Sequence, residues 1–217
     1  MKIEVKNVEK IFKNNVILKN INITFDEGKI YGLIGRNGSG KSVFLKMLCS
    51  FYEPTSGEIL YDGVNIIKEQ KFPPSTLALI EKPMFIDELT GFDNLKLLAK
   101  IQNKIGDKEI LEALEVVNLL KDKDKVVKNY SLGMKQKLGI AQVIMENPKV
   151  IILDEPFNGI EEASVVKIKD YLKTIKENTI IIISTHIRED LLDLSDVIYQ
   201  FDAGSVRCLN EEIIKWV

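Results

Sequence analysis

Gly35-Arg36-Asn37-Gly38-Ser39-Gly40-Lys41-Ser42 sets glycines, a lysine and a hydroxyl at the spacing that cradles a polyphosphate. Glycines let backbone amides turn inward and approach an anion closely, and a helix starting there adds the partial positive charge of its amino terminus. On this reading Gly35, Asn37, Gly38, Ser39, Gly40 and Val43 line the phosphates of ATP. Lys41 reaches the β- and γ-phosphates, and the Ser42 hydroxyl ligates Mg²⁺. A glycine-rich turn with no ligand is the bland alternative. The apolar stretch before the loop and the helical pattern after it favour the phosphate reading.

A second constellation lies 113 residues beyond Lys41, where Val150-Ile151-Ile152-Leu153 runs into Asp154-Glu155. Two carboxylates at the end of a buried apolar strand are costly unless a positive charge meets them there. Mg²⁺ fits that need. Asp154 is expected to hold the metal, and Glu155 to orient or deprotonate the water that attacks the γ-phosphate. A solvated strand end would explain one carboxylate more readily than this pair.

The surrounding pattern supplies elements able to carry both sites. Short strands are expected at Ile3 to Val8, Ile21 to Phe25 and Ile30 to Ile34, the last apolar on both faces and leading straight into the glycine loop. A helix over Val43 to Phe51 follows, then two short strands within Glu58 to Ile66 around Asp62-Gly63. From Thr90 to Asn147 the period is helical, with Asp107 a candidate cap. A strand at Val150 to Leu153, a helix from about Glu161 to Lys176 and a strand at Thr179 to Ser184 alternate as in a parallel sheet covered by helices. A hairpin at Val197 to Phe201 and Ser205 to Leu209, then a short helix capped at Asn210, complete the expectation.

Tyr130-Ser131-Leu132-Gly133-Met134-Lys135-Gln136-Lys137 stands 23 residues before Asp154, and the sole histidine, His186, stands 32 residues after it in Ser184-Thr185-His186. With the phosphate loop and the strand-end carboxylates, this order resembles the ATP-binding-cassette (ABC) ATPases over nearly the whole chain. The resemblance implies an α/β fold: a P-loop NTPase core, an antiparallel β subdomain and an inserted helical subdomain at about 85–147, in one domain over 1–217. It makes Glu155 the catalytic glutamate and His186 a switch histidine that contacts the γ-phosphate, with Lys41 beside them. It puts Phe12 against adenine, although a core aromatic is an equally simple reading of that residue. Ser131 and Gly133 would contact the ATP held by a second ABC ATPase subunit, in a homo- or heterodimer.

Several positions depart from the family pattern. Its usual Leu-Ser-Gly-Gly-Gln signature reads Tyr130-Ser131-Leu132-Gly133-Met134 here, and the position of the usual Q-loop glutamine holds Glu81. A carboxylate at 81 is expected to reach the metal more strongly than an amide while adding negative charge beside a triphosphate. Glu161 stands where aspartate is usual. These substitutions resemble bacterial exporters of the bacitracin-resistance and lantibiotic-immunity type.

Composition agrees with that class. The 217 residues are 45% apolar and 29% charged, enough to bury a core, and their net charge of −2 gives no general attraction to nucleic acid. No stretch is apolar for the roughly 20 residues a membrane helix needs, so a separate transmembrane permease is the expected partner and the cytoplasmic face of the membrane the expected place. Cys49 and Cys208 have no metal-site spacing. An ABC ATPase serving a cytosolic assembly, such as an iron-sulfur scaffold, is the alternative. A P-loop small-molecule kinase would leave Ser131, Glu155 and His186 unexplained.

Overall fold

The computed structural model describes residues 1–209. Its amino-terminal part consists of β1 (Lys2–Phe12), β2 (Asn15–Asp26), β3 (Lys29–Ile34), α1 (Lys41–Leu48), β4 (Ser56–Tyr61), β5 (Val64–Asn65) and β6 (Thr76–Leu79). Three helices follow: α2 (Gly91–Gln102), α3 (Asp107–Val116) and α4 (Leu132–Ile144). The remainder is β7 (Val150–Asp154), α5 (Glu162–Ile175), β8 (Ile180–Thr185), α6 (Glu189–Leu192), β9 (Val197–Asp202) and β10 (Ser205–Cys208). The helix expected after Asn210 lies outside the described residues.

β1 and β2 alternate along their length, with Ile3, Val5 and Val8 buried on one and Ile21, Ile23 and Phe25 on the other. Both run longer than their apolar residues suggest, because the turn between them needs only Lys13 and Asn14, each at positive φ. With β4 and β5 they form an antiparallel sheet of order β2-β1-β4-β5. Asp62 and Gly63, at φ +48° and +81°, make the two-residue turn between β4 and β5.

The second sheet has the order β10-β9-β3-β8-β7-β6, with β9, β3, β8, β7 and β6 parallel and β10 antiparallel at its edge. β6 is the element the sequence pattern does not announce. Its four residues follow Pro73-Pro74 at a sheet edge with only Leu79 buried, and the run Leu77 to Ile80 is too short to set a strand period.

Both faces of this sheet are covered, and successive residues serve different cores. Ile151, Leu153, Ile181 and Ile183 pack with Leu95, Leu114 and Leu138 of the helices. Val150, Ile152, Ile180 and Ile182 pack with Phe44, Leu45 and the antiparallel sheet. The period of two explains why strands that read as continuous apolar runs are stable here. β7 and β8 pair in parallel with Asp154 opposite Ser184.

Helix ends follow local chemistry. Thr90 accepts the Asp93 N–H at 3.0 Å to start α2. At α3 the expected cap is corrected: Gly106 occupies the cap position, and the Glu109 carboxylate accepts its N–H at 2.8 Å. Asp107, one residue too far along to cap, pairs with Lys96 at 2.9 Å. Cys49 is buried, Cys208 exposed, and both are free thiols.

Candidate functional site

The phosphate loop joins the end of β3 to the start of α1. Gly40 caps α1 at φ +102°, and a Cβ there would stand 2.7 Å from a Leu18 methyl, so both backbone and space demand glycine. Lys41 is only 5% exposed. Its ammonium donates to the carbonyls of Gly35 (2.5 Å) and Arg36 (3.4 Å). Burial lowers its pKa from the usual lysine value, opposed by the carboxylates of Glu155 and Asp154. The Ser39 hydroxyl is buried with no hydrogen-bond partner. A cavity of about 430 Å³ opens between Ile17, the 36–43 segment and Glu155. Of the loop residues expected to hold phosphate, Asn37, Gly38, Ser39, Gly40, Lys41, Ser42 and Val43 border it, and Gly35 does not.

Phe12 does not border that cavity. It stands at the end of β1, 37% exposed, outside both apolar cores. Its ring meets Tyr52 edge-on at 5.4 Å, and the Lys10 ammonium lies 4.6 Å from its centre. The core-aromatic reading of Phe12 is thereby corrected: the ring is a surface feature held by an aromatic and a cation.

The carboxylates leave the end of β7 in different states. Asp154 is 7% exposed. One of its oxygens accepts the Ser184 hydroxyl from β8. Glu155 adopts φ +48°, a conformation costing a glutamate about 1 kcal/mol or more. It is held there by its N–H on the Ser184 carbonyl (2.9 Å) and by Gln136 Nε2 on its own carbonyl (3.3 Å). Its Oε2 lies 2.9 Å from His186 Nδ1. The loop cavity and a neighbouring one of about 340 Å³, which Glu81, Asp154 and Leu132 also border, share Glu155 as a wall.

Glu81, just past β6, also has a left-handed backbone, at φ +65°. Its carboxylate is 68% exposed and ion-paired with Lys46 of α1. That lysine explains how a carboxylate is tolerated beside a phosphate site, and nothing in the sequence pattern marks it.

Ser131 caps α4, its Oγ accepting the Met134 N–H at 3.2 Å. Gly133 is required for a reason beyond an accessible amide: a Cβ there would be 2.2 Å from the Gly159 carbonyl oxygen. Two further buried polar residues of α4 reach the segment after Glu155. Gln136 donates to the Pro156 carbonyl at 3.2 Å, and Lys137 pairs with Glu161 at 2.7 Å. The Lys137 ammonium, joined by the Ser164 hydroxyl at 2.6 Å, holds the Glu161 carboxyl down at about 2. Ser184, Gln136 and Lys137 are the site residues missed from sequence. The available signal was a polar pair on a helix that otherwise buries Leu138, Ile140 and Ala141.

A family described as ABC transporter matches residues 18–158. The chain is 39% identical over 214 residues to the ABC transporter ATP-binding protein YybJ of Bacillus subtilis (strain 168), covering 98% of each. It is 40% identical over 199 residues to the bacitracin transport ATP-binding protein BcrA of Enterococcus faecalis, covering 90% of this chain and 65% of that relative. A putative ABC transporter ATP-binding protein from Pyrococcus furiosus superposes with a TM-score of 0.81 at 28% identity, covering 93% of this chain and 98% of that one.

Proposed function

Because this chain belongs to the ABC transporter family, as one of its ATP-binding proteins, we propose that Glu155 and His186 activate the water that hydrolyses ATP held by the 35–43 loop. Proteins of this family are ATPases. The observation that carries the assignment is the 2.9 Å approach of His186 to Glu155, at the wall of the cavity that Lys41 and Ser42 border.

Lys41 and the loop amides bind the triphosphate, and the Ser39 hydroxyl, otherwise without a partner, gains one there. Among the described residues no cluster of three or more histidine, cysteine or acidic side chains could hold a metal alone. Ser42 and the second oxygen of Asp154 fit a Mg²⁺ that takes its other ligands from phosphate and water, with Glu81 available if it leaves Lys46. A Mg²⁺ held there would supply positive charge to offset that of the phosphates. Glu155 accepts a proton as the water oxygen bonds to the γ-phosphorus, and the bond to the β,γ-bridging oxygen breaks to give ADP and phosphate. His186 holds Glu155 and the water in line. Phe12 stacks on adenine.

Ser131 and Gly133 face a second ABC subunit over a shared nucleotide. The segment Glu81 to Asn94, where Met84 and Ile86 are exposed, forms the docking surface for a separate permease. No helix among the described residues is long and apolar enough to cross a membrane, and the chain works at the cytoplasmic face. The bacitracin transport relative supports export of a drug or antimicrobial peptide as the process powered.

Glu155→Gln tests the chemistry. ATP affinity should be retained while kcat falls about 10²- to 10⁴-fold, and near-normal turnover would overturn the assignment. The same variant, trapped with ATP in its native cell and extracted in mild detergent, should retain a polytopic membrane protein in near-stoichiometric yield.

A further inference from the structure

Lys169 is a buried cation in a place where packing asks only for an apolar side chain. It stands on α5 between Ile168 and Leu172, which belong to the core, and is itself 8% exposed. Its ammonium donates to Asp193 Oδ1 at 3.0 Å, lies 4.0 Å from Asp190 Oδ1 and sits 5.5 Å from the centre of the Phe157 ring. These partners come from two segments. Phe157 is two residues beyond Glu155, while Asp190 lies in the first turn of α6, the short helix that follows His186, and Asp193 caps its carboxyl end.

The α6 side of the contact reaches back to His186. Asp190 Oδ2 accepts the Thr185 hydroxyl at 3.5 Å, and Thr185 Oγ1 accepts the Ile187 N–H at 3.1 Å. Both neighbours of the histidine are therefore tied to a carboxylate that Lys169 faces. Burial pushes the Asp190 carboxyl up, and Lys169 opposes that rise. Without the lysine, Asp190 would lose the cation that faces it, while Asp193 would keep only Lys173 of α5.

We propose that Lys169 is a positioning residue for hydrolysis: it holds the segment after His186 against the segment after Glu155, so that the two catalytic side chains meet. It borders neither of the two cavities that Glu155 lines. The proposal rests on the reading of Glu155 and His186 as the hydrolytic pair, and adds that their approach is imposed from α5 by a charge.

The test uses Lys169→Met, which keeps the apolar stem, and Lys169→Arg, which keeps the charge. His186 is the sole histidine, so its environment is readable as a single imidazole signal in the NMR spectrum of the full chain. Lys169→Met should lower kcat about 10- to 100-fold, as expected for a small misplacement of reacting groups, with ATP affinity within about twofold of the parent. It should also move or broaden the imidazole signal, and Lys169→Arg should restore both. Should Lys169→Met fail to fold, Asp193→Asn removes the partner carboxylate, whose side chain is 59% exposed, without disturbing the core, and should give the same pattern more weakly. An unmoved imidazole signal with parental kcat would overturn the proposal. So would a loss of kcat that tracks loss of ATP affinity and is not rescued by arginine. Glu155→Gln and His186→Ala are assayed in parallel: retained turnover in these would sink the hydrolytic assignment, while the imidazole signal still reports whether Lys169 positions His186.

Discussion

The two halves of the site are built from different materials. At the end of β3 the work falls to backbone amides, two left-handed glycines, Gly38 and Gly40, and one lysine, all within the 35–43 segment. At the end of β7 it falls to side chains gathered from far along the chain: Gln136 from α4, Ser184 and His186 from β8 and beyond it. On the proposed reading, the first half is a local structure that binds ATP and the second a tertiary structure that hydrolyses it. Binding and turnover should therefore fail separately.

Glu155→Gln is the largest expected break, about 10²- to 10⁴-fold in kcat with affinity kept. Lys41→Ala should do the converse, weakening ATP binding about 10- to 150-fold, the worth of hydrogen bonds to a charged group. Equilibrium binding of a fluorescent ATP analogue reads this directly. If Lys41→Ala changed only kcat, the division between halves would be wrong.

Gly133→Ala sharpens the comparison, because it strikes the tertiary half from a distance. The new methyl would overlap the Gly159 carbonyl oxygen, costing about 1–3 kcal/mol and displacing the segment after Glu155. Thermal denaturation should show the loss of stability, and steady-state assays should show kcat falling more than affinity.

The smallest effect concerns Glu161. Folding holds its carboxyl at about 2, chiefly through Lys137 and then Ser164, below the roughly 4.3 of an unfolded glutamate. Its stabilisation is thus complete above about pH 4.3 and is lost as pH falls towards about 2. Half-exposed on the carboxylate side, the pair contributes little in absolute terms. Urea titrations should show the parent more stable than Glu161→Gln near neutrality and the two converging across that acid window. A constant margin down to about pH 2 would mean that the ion pair is not the source.

The same division explains what the sequence made legible. Gly35 to Ser42 could be read because a phosphate loop is a contiguous string whose spacing is its geometry. Asp154, Glu155 and His186 could be read by type and order. Their supports could not, since Gln136, Lys137 and Ser184 acquire meaning only once α4, β7 and β8 are adjacent. β6 escaped notice for a related reason: the apolar run Leu77 to Ile80 is too short to declare a strand, and pairing with β7 decides its state. Asp107 shows the limit of cap assignment, where a shift of one residue gave the cap position to Gly106, whose N–H the Glu109 carboxylate accepts.

β8 reads Ile180-Ile181-Ile182-Ile183 before Ser184. Since both faces of the strand are covered, sliding it one place along β7 would trade isoleucine for isoleucine, and the hydrophobic effect would scarcely object. The objection comes from the strand end, where a slip would take the Ser184 hydroxyl from Asp154 and its carbonyl from the Glu155 amide. The polar groups assembled for chemistry thus also index the sheet. A chain that folded one notch out of step would announce its error by being unable to hydrolyse anything.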